Sequence, residues 1–271
     1  MKVKKTAWVL FLGFSYLWTV PLTSPSYAAP KNSSTSEPVK LVYAVYNKGF
    51  HVLDLNAQYR LADWGYTGQV RLHTIGVFGF FVHIDTYTTA SGRFLNDGSL
   101  QPVSYDSSGY SRGTLRHTVL GFDHNITSVK LITPPDDPDR EKISSAEMQH
   151  TIDMLSGMAL LLHKVQTQNT CNGVVTLFDG VRLTTMKATT QGNVQIPEDD
   201  RNEYTGQALE CDFVGQQIKG FIKDSPNLEK LRQPQIGKAW FQPVGSYGKI
   251  PVRVEFHHPK LGYILAILQK E

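Results

Sequence analysis

The chain has 271 residues, of which 41% are hydrophobic, and it carries 27 Lys and Arg against 24 Asp and Glu. Three of the lysines lie in the first 28 residues, so the rest of the chain has 24 charges of each sign and no net charge. Because a neutral chain has no global field to attract nucleic acid, this composition argues against a nucleic-acid partner.

The first 28 residues are typical of a secretory signal peptide. Lys2, Lys4 and Lys5 precede an uncharged apolar stretch over residues 7–22, and residues 26–28 form a small-residue cleavage site. We therefore expect a protein exported from the cytoplasm, with retention of the segment as an anchor as the alternative. No later run of about 20 apolar residues follows, so no membrane span is expected once the signal is removed.

Residues 29–39 are rich in Ser, Thr and Pro and predict a flexible leader before a single domain over residues 40–271. Alternating apolar and polar residues then predict short strands with short connections, which is typical of an antiparallel meander. The first predicted strands cover residues 40–46, 50–61, 66–75, 78–90, 98–105, 111–123 and 125–133.

One helix is predicted from Thr151, its expected cap, to about Gln166. Its apolar residues recur at three- and four-residue steps and include Leu155, Ala159 and Leu162. Met154, Met158 and Leu161 widen this face, so we expect the helix to be buried on most sides.

After the helix, the strand pattern resumes over residues 173–178, 181–188, 203–214, 238–243, 250–256 and 263–269. A long sheet must curl to bury one face, and a lone apolar helix would fill the curve. The sequence therefore predicts a mainly β fold, an antiparallel meander curled into an open or incompletely closed β-barrel around one central α-helix.

Cys171 and Cys211 are the only cysteines. In an oxidising compartment two lone cysteines usually pair, and this pair would close a loop of about 40 residues. A metal site or a redox-active dithiol is not expected, because the chain has no CxxC. We expect a structural disulfide.

Several short motifs point to one family. They are Tyr43-x-x-Tyr46-x-x-Gly49-Phe50, Ser91-Gly92-Arg93, the helix start Thr151-Ile152-Asp153-Met154-Leu155-Ser156, the run Leu177-Phe178-Asp179-Gly180-x-Arg182, and Pro251-Val252-Arg253. On these motifs the sequence resembles a bacterial family catalogued as domain of unknown function 3108, across nearly the whole mature chain. The resemblance implies a periplasmic location and an architecture similar to the half-barrels of envelope lipoprotein carriers. It implies no reaction and no catalytic residues.

Two groups of residues are candidate ligand-binding sites. Asp179 and Arg182 would contact a polar head group at the mouth of a pocket, or would simply form a tight turn around Gly180. Phe78, Phe80 and Phe81 lie in one short run. They would line an apolar cavity from the inner face of a strand, or would pack on the helix.

No catalytic or metal site is predicted. His257 and His258 are adjacent and would point to opposite faces of a strand, and the other histidines are scattered. The acidic run at residues 136–139 lacks the glycine and the distal glutamate of an EF-hand. Because no GxSxG, Walker or GxGxxG motif occurs either, we expect neither an enzyme nor a cofactor.

The sequence thus favours a periplasmic binding or carrier module whose partner is a lipid or another apolar small molecule. The alternative is an envelope assembly or structural protein that binds another polypeptide through an exposed sheet edge. A hydrolase with a dispersed site is a third hypothesis.

Overall fold

The computed structural model describes residues 37–123 and 126–270, and the predicted signal peptide lies outside them. Residues from Ser36 onward form one compact unit. The strands are β1 Val39–Asn47, β2 Phe50–Ala62, β3 Gly65–Thr74, β4 Ile84–Phe94, β5 Leu100–Ser111, β6 Thr114–Asp123, β7 Ile126–Thr133, β8 Gly173–Phe178, β9 Leu183–Gln195, β10 Gln207–Lys219, β11 Gln235–Pro243, β12 Lys249–His258 and β13 Gly262–Leu268. The helices are α1 Phe78–Phe81, α2 Met154–Gln168 and α3 Leu228–Arg232.

All thirteen strands belong to one antiparallel sheet in the order β7-β6-β5-β4-β3-β2-β1-β13-β12-β11-β10-β9-β8. Two meanders are therefore joined where β1 pairs with β13, with Tyr43 opposite Leu268. The expectation of a mainly β, antiparallel fold is confirmed. Within the described residues the sheet is not closed, and β7 and β8 are its edge strands.

Strand β13 is buried on both faces because each side of the central sheet is covered. Its run includes the buried residues Ile264, Leu265 and Ile267, a continuous apolar stretch typical of a fully enclosed strand. Part of this cover comes from the connection between β9 and β10, where Asn202 accepts a 2.7 Å hydrogen bond from Arg253 of β12.

The start of α2 differs from the prediction. Asp153, rather than Thr151, caps the helix, and its Oδ1 accepts a 2.9 Å hydrogen bond from Ser156 N. The Thr151 hydroxyl instead donates to Met148 O at 2.9 Å. The helix ends at Asn169, whose φ of 53° places it in the left-handed conformation that closes many helices.

Helix α2 packs on β3, β4 and β5 of the first meander and on β8 and β12 of the second. Ala159 shares a cluster with Tyr66, and Leu162 shares one with Phe241. Burial on most sides was expected, and this is wrong for Met154 and Met158, which are 49% and 40% exposed. Among the described helices, none is long and apolar enough to cross a membrane.

A short segment before α2, residues 148–152, contacts both edge strands. Thr127 of β7 donates its N–H to Met148 O at 3.4 Å. Ile152 donates to Thr176 O of β8 at 3.1 Å and accepts from Phe178 N at 2.9 Å. The same segment therefore supplies backbone partners to β7 on one side and to β8 on the other.

The expected disulfide is present and joins Cys171 to Cys211, with their Cα atoms 6.2 Å apart. Both cysteines are buried in the cluster that holds Leu162. The bridge ties the chain just after α2 to strand β10.

Two strand predictions are wrong in detail. Residues 78–90 were expected to form one strand, but the first four form α1 and β4 begins only at Ile84. The strand predicted over residues 181–188 is too short, because β9 continues to Gln195 and its polar residues pair along β10.

Candidate functional site

Since neighbouring strands are antiparallel, their connections alternate between the two ends of the sheet. We call one end the α1 rim. It holds the connections at residues 48–49, 75–83, 112–113, 179–182, 220–234 and 259–261. We call the other end the far rim, and it holds the connections at residues 63–64, 95–99, 196–206 and 244–248.

The phenylalanines predicted to line a cavity lie on the α1 rim. Phe80 and Phe81 are 91% and 84% exposed, while Phe78 is half-buried with its ring 6.0 Å from that of Phe50. The expectation that they face inward from a strand is wrong, because residues 78–81 form a helical turn that projects from the rim. Ligand binding by these side chains stays a prediction.

A cavity of about 370 Å³ lies beside α1, and its lining combines charged and polar side chains with apolar surface. Its lining includes Arg71 and Asp85, which form two hydrogen bonds of 2.9 Å, together with His73, His83 and Phe80. The hydrogen bond from Arg71 lowers the pKa of the Asp85 carboxyl. This lining therefore offers charged and polar groups beside the apolar ring of Phe80.

Asp179 and Arg182 contact each other within their own turn. Asp179 Oδ1 accepts from the backbone N–H of Val181 and of Arg182, and its Oδ2 accepts from Arg182 Nε at 2.8 Å. Gly180 has a φ of 99°, as the tight-turn interpretation requires. Among the described residues, no hydrogen bond, ion pair or ring contact joins this turn to the phenylalanines of α1.

Cations gather near the β12–β13 connection. Burial lowers the pKa of His258, and the nearby Arg112, Lys260 and Arg182 lower it further. These cations come from three connections that are distant in sequence. Arg182 is paired with Asp179, but Arg112 and Lys260 lie in connections without an acidic residue, so they give this part of the α1 rim a positive charge.

Helix α2 covers the helix-facing side of the sheet mainly near the far rim. Ser156 bonds to Tyr66 at the start of β3, and the His163 ring stacks 4.0 Å from the Phe94 ring at the end of β4. Gln166 Nε2 donates to the Tyr247 carbonyl in the β11–β12 connection at 3.2 Å. All these contacts lie at the far rim, so the part of this surface nearer the α1 rim has less cover from the helix.

Apolar side chains remain accessible on that less covered part. Val254 of β12 packs on the cluster that contains Leu162, and Phe256, two residues along, faces the same side and is 41% exposed. The exposed Met154 and Met158 belong to the first turns of α2. The helical pattern predicted that the methionines are buried, and the strand pattern did not identify Phe256 as accessible. Both patterns show which face a residue lies on, but not whether a neighbouring element covers that face.

A buried polar network anchors the first turn of α2. Asp153 is fully buried and accepts from Ser156 Oγ, which also bonds to the Tyr66 hydroxyl of β3. Burial raises the pKa of Asp153 and of Tyr66. Because these groups satisfy one another, the network holds the helix in place. An aspartate directly before the apolar run of the helix is a sequence signal that could have identified the cap.

In the described part of the chain, no three His, Cys, Asp or Glu residues are placed to hold a metal ion. In the acidic run at residues 136–139, Asp136 pairs with Arg140 at 2.6 Å. Nδ1 of His258 accepts from the backbone N–H of Lys260 and of Leu261 at 3.1 Å each. These side chains have structural partners within their own loops.

The fold defines a mainly β, disulfide-bonded protein built on one antiparallel sheet, with accessible apolar side chains on its helix-facing side. The chain belongs to the family described as "Protein of unknown function (DUF3108)", whose model matches residues 42–264. This match confirms the resemblance found in the motifs. No curated protein and no solved structure matches the chain.

Proposed function

We propose that this protein is exported to the periplasm and acts as a non-catalytic binding or carrier module for an apolar ligand, a lipid or a lipoprotein acyl chain. One observation carries the proposal: the sheet offers more helix-facing surface than α2 covers, and Phe256 on the sheet and Met154 and Met158 on α2 remain accessible. A soluble protein that exposes a contiguous group of apolar side chains usually has a binding site there.

The proposal includes a sheet that curls into an incompletely closed barrel around α2. Its support comes from contacts between strands that are far apart in the sheet order. Leu120 of β6 and Phe178 of β8 share one buried cluster, although eleven positions separate their strands in that order. Residues 148–152 give backbone partners to both edge strands. A flat sheet would keep these edges apart.

The exposed residues suit an acyl chain chemically. Methionine is unbranched and polarizable, so Met154 and Met158 adapt to a flexible chain, and Phe256 adds a large apolar face. Each CH₂ group that an acyl chain buries contributes about 0.8 kcal/mol. A chain of ordinary length therefore binds without any charged partner in the site.

A polypeptide partner is the second candidate, since β7 keeps Val129 and Leu131 exposed on an edge strand. Residues 148–152 already occupy part of both edges, which favours the apolar ligand over this alternative.

Native mass spectrometry of protein purified from the periplasm, without detergent, tests the proposal. We expect a co-purifying mass that organic extraction identifies as a lipid. The variant Met158→Gln with Phe256→Gln should lose most of it. Ile236→Gln is the matched control, because Ile236 is exposed on the opposite face of the sheet from Phe256. A protein that carries no lipid, and takes none up when one is supplied, contradicts the proposal.

A further inference from the structure

Four connections of the α1 rim form one continuous surface. Gly113 N donates to His83 O at 2.9 Å, which joins the β5–β6 connection to the β3–β4 connection. The rings of Phe50 and Phe78 join the latter to the β1–β2 connection. Asn47 Nδ2 donates to Leu261 O at 3.0 Å, which adds the β12–β13 connection. We call this surface, residues 47–50, 75–83, 111–114 and 258–262, the rim surface.

The rim surface projects apolar side chains into solvent. Phe80 and Phe81 are the most exposed large apolar residues in the described part of the chain, and Phe50, Val77 and Leu261 are exposed beside them. Neither Phe80 nor Phe81 has an aromatic partner within the described residues, so packing in the monomer does not explain their position. Protruding apolar groups of this kind mark a surface that meets a partner.

The charge of the rim surface has one sign. It contains Lys48, Arg112 and Lys260, and its four segments contain no Asp or Glu. On the adjoining strands, Asp85 is paired with Arg71, and Asp54 forms a hydrogen bond with His51. Acidic loops such as residues 136–139 and Asp179 lie beyond these four connections.

We propose that the rim surface docks the protein onto an anionic phospholipid bilayer. Phe80 and Phe81 enter the boundary between head groups and acyl chains, while Arg112, Lys48 and Lys260 contact the phosphates around them. The charge pattern selects this occupant, because apolar tips within a ring of cations match the layered chemistry of an anionic membrane surface. The docking does not require a carried ligand, so it goes beyond the proposed function.

Sedimentation with vesicles tests the docking. The compact unit from Ser36 onward is the form to use, because the apolar N-terminal segment would itself bind lipid. We expect binding to vesicles of phosphatidylglycerol and phosphatidylethanolamine, at least tenfold weaker binding to phosphatidylcholine vesicles, and a loss of the difference at high salt.

Two variants and their controls locate the contact. Phe80→Ser with Phe81→Ser should weaken binding to anionic vesicles at least tenfold, whereas Trp64→Ser, at an exposed aromatic residue on the far rim, should leave it unchanged. Arg112→Gln with Lys260→Gln should remove the preference for anionic vesicles. The control Lys40→Gln with Arg93→Gln removes two charges near the far rim and should keep the preference for anionic vesicles.

Full vesicle binding by the Phe80→Ser, Phe81→Ser variant overturns the docking proposal, provided that its melting curve matches that of the wild type. Failure of the wild type to bind vesicles also overturns it, and concentration-dependent self-association through Phe80 in that case identifies a second copy as the occupant. The Met158→Gln, Phe256→Gln variant should dock normally, so loss of the carried lipid and loss of docking are separable results.

Discussion

Phe178 donates its backbone N–H to the carbonyl of Ile152 at 2.9 Å, which joins one edge strand of the sheet to the segment that leads into α2. Three residues earlier, Gln149 forms an antiparallel bridge with Ile126 of the other edge strand. Two strands that stand at opposite ends of the sheet order therefore share one short segment. The segment protects part of both edges, and it leads directly into the helix that packs against both meanders.

The close approach of the β8–β9 turn to β6 predicts unequal effects of two similar glycine substitutions. Gly180 and Gly192 have φ of 99° and 107°, so alanine strains the backbone at both positions. A Cβ on Gly180 would lie 2.7 Å from Thr118 Cγ2, whereas a Cβ on Gly192 meets no atom within 4 Å. Since threonine on a strand is stiff, Gly180→Ala should cost about 2 kcal/mol more.

Urea unfolding of the two alanine variants measures this difference. Equal losses of stability would mean that the turn and β6 do not touch, and the curled sheet would lose its main support.

Position along α2 should decide the cost of a charge. Leu162 is buried beside Phe241 and Leu209, so Leu162→Asp should destabilise the protein by about 4 kcal/mol or unfold it. Met158→Asp, one turn earlier on an accessible part of the helix, should cost much less. Circular dichroism melting curves compare them. A folded Leu162→Asp variant as stable as Met158→Asp would place the helix at the surface.

Sequence patterns predicted the strands well where alternation was clear and turns were marked, as at Lys48-Gly49 between β1 and β2. They failed at residues 78–81, because a short apolar run has no period long enough to separate a helical turn from a strand. They also favoured Thr151 over Asp153 as the helix cap, because local preference alone does not show which oxygen faces the first turn.

The candidate site was less predictable than the fold. The disulfide followed from the cysteine count and the expected compartment. The accessible Met154 and Phe256 depend on how far α2 extends along the sheet, which is a tertiary property. The exposure of Phe80 likewise depends on the position of α1 at the rim. Its apolar character alone led to the wrong prediction that the side chain faces inward.

The disulfide should stabilise the fold and leave ligand binding intact. Cys171→Ala with Cys211→Ala opens a loop of 40 residues and should lower the free energy of unfolding by about 3–4 kcal/mol in the chain-entropy model. Denaturant titration measures the loss, and chemical reduction of the wild type is the matched comparison. Two free thiols in unreduced periplasmic protein would contradict the structural role.

The pH dependence should identify Asp153 as a buried acid. Burial raises its pKa above the ordinary value of 3.8, so the folded state binds a proton more tightly than the unfolded state. Stability contributed by this group is therefore lost as pH rises from 3.8 through the folded-state pKa. Asp153→Asn keeps the acceptor for Ser156 N, and its stability relative to wild type should increase over this window.

Asp199 provides the comparison of opposite sign. The hydrogen bond from Arg201 lowers its pKa, so its contribution is present above 3.8 and is lost as pH falls. Asp199→Asn should therefore be less stable than wild type at neutral pH and approach it in acid. Chemical denaturation over a range of pH measures the stability of each variant relative to wild type. If this difference changes with pH in the same direction for Asp153→Asn and Asp199→Asn, both assignments are contradicted.

The central claim, an apolar ligand on the helix-facing side of the sheet, is tested most directly by methyl NMR of ¹³C-labelled methionine. The chain has five methionines, so the spectrum is simple to assign. Addition of a monomeric fatty acid to lipid-free protein should shift the Met154 and Met158 methyl signals. Met148, which packs on the cluster of Leu120 and Phe178, should not shift. Unchanged Met154 and Met158 signals at saturating fatty acid would contradict the account.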